Sequence, residues 1–109
     1  MIVLARDEVD ESEAGWLGAA QLKVREMDIY PQYEYWLGGV YVTESARGRG
    51  VGARLVDEVK ARARAAGIER LYLQTERLDG GLYRRHGFEP IEDVVYKGVH
   101  ALVMTAPIH

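Results

Sequence analysis

The chain has 109 residues, 48% of them hydrophobic and 28% charged, which fits one globular domain over residues 1–109 with a modest core. A formal net charge of −3 excludes a broadly basic nucleic-acid binder, because phosphate neutralisation needs a Lys/Arg surplus, and leans toward cationic partners such as amines. The absence of cysteine excludes disulfides, thiolate metal sites and a cysteine nucleophile; no segment reads as a signal peptide or reaches the ~20 apolar residues of a membrane span, so a soluble, cytoplasmic protein with no membrane partner is expected.

The chain opens with a short strand, Ile2 to Ala5. Asp7 to Glu13 then carries five carboxylates in seven residues and reads as a solvated loop, which would also attract a cationic acceptor. From Trp16 to Arg25 the residues Ala20, Leu22 and Val24 alternate with Gln21, Lys23 and Arg25, the period of a half-buried strand. Asp28 to Gln32 has turn chemistry. Tyr35 to Val42 is aromatic and β-branched and predicts a third strand. Gly38-Gly39 interrupts it, as glycine does at a bulge or a close backbone approach. From Gly50 to Ala66 the period becomes helical: Val51, Leu55, Val56, Val59 and Ala63 share one stripe, and Gly67 stops the helix. Arg70 to Thr75 predicts a strand. Asp79 to His86 predicts a short helix with Asp79 as its N-cap and Gly87 as its stop. Phe88 to Val95 and Val99 to Thr105 predict two strands around a Lys97-Gly98 hairpin turn. The order β-β-β-α-β-α-β-β implies a mixed α+β sheet, mostly antiparallel, with helices packed on it, rather than a regular doubly wound one.

The segment Arg47-Gly48-Arg49-Gly50-Val51-Gly52 stands where a strand hands over to a helix. Glycines there let the backbone turn tightly and approach a ligand, and the positive end of the helix adds its pull on an anion. The assembly suits a pyrophosphate. A Walker loop is rejected, since Gly52 is followed by Ala53-Arg54 rather than Lys-Ser/Thr. A dinucleotide fingerprint is formally met by Gly48, Gly50 and Ala53. Five residues separate Val42 from Gly48, however, and the acid expected near the ribose, Glu69, begins its strand rather than ending it.

A third family fits both halves of the chain. Val40-Tyr41-Val42-Thr43-Glu44-Ser45-Ala46-Arg47-Gly48-Arg49-Gly50-Val51-Gly52 resembles the GNAT superfamily of N-acetyltransferases. Its Arg/Gln-x-x-Gly-x-Gly/Ala signature is matched by Arg47, Gly50 and Gly52. Leu82-Tyr83-Arg84-Arg85-His86-Gly87-Phe88 resembles the family's Leu-Tyr-x-x-x-Gly-Phe segment, and Val99 to Thr105, with Met104, resembles its last strand. The resemblance covers roughly residues 16 to 106. Members usually begin with a strand and two helices that wall the acceptor site. Their absence here marks a minimal member, a fragment, or a chain that relies on a partner subunit, and makes a homodimer through a sheet edge or the final hairpin an expectation.

The resemblance implies acetyl-CoA as co-substrate and direct transfer of the acetyl group to a primary amine, on a small molecule or a protein, in a ternary complex. It implies that Val40, Tyr41 and Val42 offer backbone groups to pantetheine, with Gly38-Gly39 as the bulge. Arg47, Gly48, Arg49, Gly50, Val51, Gly52 and Ala53 would hold the pyrophosphate. Tyr83 matches the family tyrosine that protonates the departing thiolate. Glu34, near the start of the central strand, is the carboxylate placed to serve as base, beside a water-mediated base or none. Each role has a plainer counterpart: Tyr83 as a packed tyrosine, Glu34 as a solvated carboxylate, Arg84 and Arg85 as surface charges rather than phosphate contacts. Trp16, Trp36 and Phe88 are expected in the core or lining the acceptor cleft. His86, His100 and His109 lack metal-like spacing. A non-catalytic or partner-dependent coenzyme A thioester-binding module is the alternative function.

Overall fold

The computed structural model describes residues 1–6 and 16–108, so the acidic stretch Asp7 to Glu13 lies outside the described residues. Six strands form one sheet in the order β1-β2-β3-β4-β6-β5. They are β1 (Ile2–Arg6), β2 (Trp16–Val24), β3 (Tyr35–Val42), β4 (Arg70–Thr75), β5 (Glu89–Tyr96) and β6 (Val99–Pro107). Two helices accompany them, α1 (Val51–Ala65) and α2 (Gly81–Arg84). Among the described residues β3 and β4 are the one parallel pair, and α1 is the crossover that parallel strands require. This is the mixed, mostly antiparallel α+β architecture that the pattern predicts.

The helical stripe of α1 is buried residue for residue: Val51, Leu55, Val56, Val59 and Ala63. It packs on the sheet face that presents Val3, Ala20, Leu37, Leu71, Leu73 and Met104. Phe88 is fully buried in the same core. Across the sheet, the loop between β2 and β3 folds back over Trp36. Tyr33 stacks on Tyr72 at 4.1 Å between ring centroids and on Tyr30 at 5.0 Å, and the Trp36 indole donates to the Tyr33 carbonyl at 2.7 Å. With Met27 and Val103 these rings form a second, smaller core. Burying aromatic surface there does the work of a covering helix. Trp16, expected inside or in the cleft, instead lies 38% exposed under the Arg6 guanidinium at 4.7 Å.

Several boundaries differ for local reasons. β2 ends at Val24 because Arg25 adopts φ +48°, which leaves the extended region. The second helix is a single turn, Gly81–Arg84, capped by Gly80 rather than Asp79. Asp79 Oδ1 instead accepts the Gly81 N–H at 2.9 Å, two residues on, so its carboxylate closes the turn before the helix. The final strand runs on to Pro107, beyond the expected Thr105.

Candidate active site

Two glycines near the middle of β3 serve different ends. Opposite Ala20 of β2, β3 carries two residues, Gly39 and Val40, and Gly39 takes φ +51°. This is the bulge that the Gly-Gly pair predicts. Gly38, just before it, makes space: a Cβ there would stand 2.8 Å from Glu26 Oε1 and 2.8 Å from Lys23 Cδ. On its other edge β3 registers with β4 only at Trp36–Tyr72. Beyond that pair the two strands part, and the groups of Val40, Tyr41 and Val42 on this edge have no ladder partner in β4. A cavity of about 350 Å³ opens in the gap, walled by Val40, Tyr41 and Val42 on one side and by Thr75, Leu82 and Tyr83 on the other.

The chain leaves β3 through a short 3₁₀ turn, Glu44–Ala46, that buries Ala46. Gly48 at φ +80° and Gly50 at φ +75° then bend it into α1. Gly50 caps the helix in the left-handed region without any side-chain hydrogen bond, and the first helical bond is Arg54 N–H to Gly50 O at 3.1 Å. The N–H groups of Val51, Gly52 and Ala53 are therefore open at the positive end of a four-turn helix. They face a cavity of about 430 Å³ that Arg47, Gly48, Gly50, Arg85 and His86 also line. This cavity and the one between the strands share Val42, Arg47, Gly52 and Leu82. The result is one groove running from the glycine turn into the split sheet. Gly52 keeps it passable, since a Cβ there would press Leu82 Cδ2 at 3.3 Å.

The short α2 is held against α1 at its far end. His86 Nδ1 meets Asp57 Oδ1 at 3.1 Å, and Lys60 Nζ donates to the His86 carbonyl at 2.9 Å. Arg84 turns away to the Asp79 carbonyl at 2.9 Å, while Arg85 faces the groove. The Tyr83 ring is pinned edge-on to Phe88 at 6.2 Å between centroids. Its hydroxyl makes no hydrogen bond to another described residue. Burial and the Glu26 carboxylate raise the phenol above its ordinary value, so it stays protonated and able to donate.

Tyr83 and all of the predicted cradle from Val40 to Ala53 except Arg49 line this groove. Arg49 sits exposed within the glycine turn. Glu34 is not brought to the groove. It precedes the first residue of β3 and lines neither cavity, whereas the cradle begins at Val40, near the far end of that strand. The Glu34 carboxylate pairs with Arg25 at 3.6 Å and raises the Tyr35 phenol through a hydrogen bond. The carboxylate that does approach Tyr83 is Glu26, just after β2. Its side chain is 16% exposed, accepts from Gln74 Nε2 at 3.2 Å and stands 3.8 Å from Lys23 Nζ. No clustered metal-ligand set occurs among the described residues.

A split parallel pair leading to an uncapped, glycine-started helix is the geometry that the sequence resemblance implies. A family model described as an acetyltransferase (GNAT) domain matches residues 2–90. The chain belongs to the GNAT acetyltransferase family. The match takes in β1 and stops at the start of β5. Solved structures agree on the GNAT fold. The NatC complex bound to Gag peptide and CoA superposes with a TM-score of 0.76 at 18% identity, over 99% of this chain and 71% of that one. An N-acetyltransferase from Staphylococcus aureus Mu50 gives 0.73 at 19% identity, over 91% and 65%. A GNAT family acetyltransferase from Elizabethkingia anophelis with acetyl-CoA bound gives 0.67 at 17%, over 89% and 72%. This GNAT domain thus spans about two thirds of each of those chains. A search of curated proteins finds no match.

Proposed function

We propose that this domain transfers the acetyl group of acetyl-CoA to the nitrogen of a primary amine. The observation that carries the reading is the continuous groove from the open N–H groups of α1 to the unpaired edge of β3, with the free Tyr83 hydroxyl in its inner part. Gly48 and Gly50 leave open space where Cβ atoms would stand, which is the room a pyrophosphate needs against backbone N–H groups. Arg47 and Arg85 add positive charge along it. The backbone edge of Val40 to Val42 offers peptide groups to an amide-bearing arm laid between the strands, much as an added strand would.

The chemistry then needs a neutral amine and a way to discharge the sulfur. Glu26, largely buried and held by Gln74, takes a proton from the acceptor ammonium and passes it to solvent. The amine nitrogen attacks the thioester carbonyl carbon, forming the C–N bond, and the C–S bond breaks. Tyr83 gives its hydroxyl proton to the leaving sulfur and regains one from the nitrogen as the amide forms. The net change is one acetyl transferred, one thiol formed and one proton released. This assigns to Glu26 the base role that sequence proximity suggests for Glu34.

Titration calorimetry with acetyl-CoA, with NAD as control, followed by an acetylation assay over a broad amine panel, tests the reading. Binding of acetyl-CoA alone together with turnover of at least one amine is expected. Failure to bind acetyl-CoA sinks it. Binding without any turnover leaves the thioester-binding module as the better account.

A further inference from the structure

A further cleft of about 450 Å³ borders the Tyr83 cavity and shares Thr75 with it. It lies between the segment after β2, the end of β4 and the β5–β6 turn. Its charged groups are of both signs. Glu26, already engaged by Gln74 and Lys23, lines it, as does Glu76, which directly follows the shared Thr75 and makes no ion pair among the described residues. Lys97 lines it from the β5–β6 turn. β6 pairs Leu102 with Thr75, so the turn that carries Lys97 projects past the end of β4. Lys97 Nζ lies 5.2 Å from the Tyr96 ring centroid and has no carboxylate partner among the described residues. Val99 and Ala101 add apolar lining.

The cleft therefore offers one uncompensated carboxylate next to the Thr75 it shares with the Tyr83 cavity, and one uncompensated ammonium on the β5–β6 turn. A purely cationic amine would satisfy the first and be repelled by the second. An acceptor that bears its own carboxylate satisfies both. We infer that the acceptor is a small zwitterion, an amino-carboxylic acid, whose ammonium lies toward Glu26 and Glu76 and whose carboxylate is held by Lys97. This rests on the acetyltransferase reading above. Lys97 acts here as a specificity residue and takes no part in the bond changes.

The test compares initial rates for a series of free amino acids with those for their carboxamides and decarboxylated amines, alongside calorimetric binding of acetyl-CoA. The wild-type domain should prefer the best free acid over its own carboxamide by about 10- to 100-fold in kcat/KM, the worth of one charge-assisted hydrogen bond. Lys97→Met should erase that preference through KM, and Lys97→Glu should shift it toward the amine lacking a carboxylate, both with unchanged acetyl-CoA affinity. Equal rates for acid, carboxamide and amine on the wild type overturn the zwitterion, as does a preference that survives in both variants. Loss of acetyl-CoA binding in the wild type is a different failure, that of the transferase reading itself.

Discussion

Tyr83 illustrates how a single side chain is prepared by its surroundings. Its ring is fixed by Phe88, and its hydroxyl has no hydrogen-bond partner among the described residues where it lines the gap in the sheet. Because burial raises the phenol, ionisation is deferred to above its ordinary value of 10.0, and the donor form persists across the working pH range. Tyr83→Phe should lower kcat by about 100-fold or more while leaving the acetyl-CoA dissociation constant unchanged, as stopped assays and calorimetry on the same preparation will show. The pH–rate profile should show no fall from phenol ionisation below about pH 10. Tyr83 was legible because its neighbours Leu82, Gly87 and Phe88 form a local pattern. Glu26 was not, because nothing near it in sequence announces that its carboxylate folds back over Gly38. The only trace was the glycine itself, whose missing Cβ makes the space. Glu34 lies at the same end of β3 but turns its carboxylate to Arg25, whereas Glu26 reaches back toward Gly38 and Gln74.

At the level of elements, the segment between β2 and β3 does more than connect them. It lays Met27, Tyr30 and Tyr33 over the sheet face opposite α1, and it delivers Glu26 to Gln74. Tyr30 ties it to the outer strand by donating to Glu92 Oε1 at 2.6 Å. Burial first, and then that carboxylate, push the Tyr30 phenol up to about 12 from 10.0. The folded state thus holds a proton that the unfolded chain releases earlier. The stabilisation is complete below about pH 10 and drains away as pH climbs from there toward 12. Urea titrations over that window should show wild-type stability falling steeply, and Tyr30→Phe should flatten the fall. Turn chemistry at Asp28 to Gln32 was readable in the residues. The aromatic stacking was not, since Tyr33 meets Tyr72 from 39 positions away. The short α2 was overestimated because Asp79 looks like a cap, whereas its carboxylate is spent on the turn before it.

At the scale of the whole molecule, alternation, β-branched content, helical period and turn chemistry together anticipate the strands and helices of the described residues, with α2 shorter than expected. What periodicity does not carry is partnership across the sheet. The neighbouring of β3 with β4, and its limit to one registered pair, depends on how α1 crosses and on the bulge at Gly39. That limit is what splits the sheet. The same economy governs the start of α1, where Gly50 stands in place of a Ser, Thr or Asp that would have closed the helix from within. On the proposed function, an anion bound there would complete the helix from outside. Occupancy should therefore be felt as rigidity. At a ligand concentration of 100 times Kd, linkage alone adds about 2.7 kcal/mol to the folded state. Melting curves should shift upward by about 10 °C or more. Hydrogen exchange should slow most at the amides of Val51, Gly52 and Ala53; protection spread evenly over the sheet would show that the ligand does not complete this helix. On that reading the domain's own lifetime is coupled to the supply of its substrate: when the thioester pool runs low, the empty form is the one most readily unfolded and cleared.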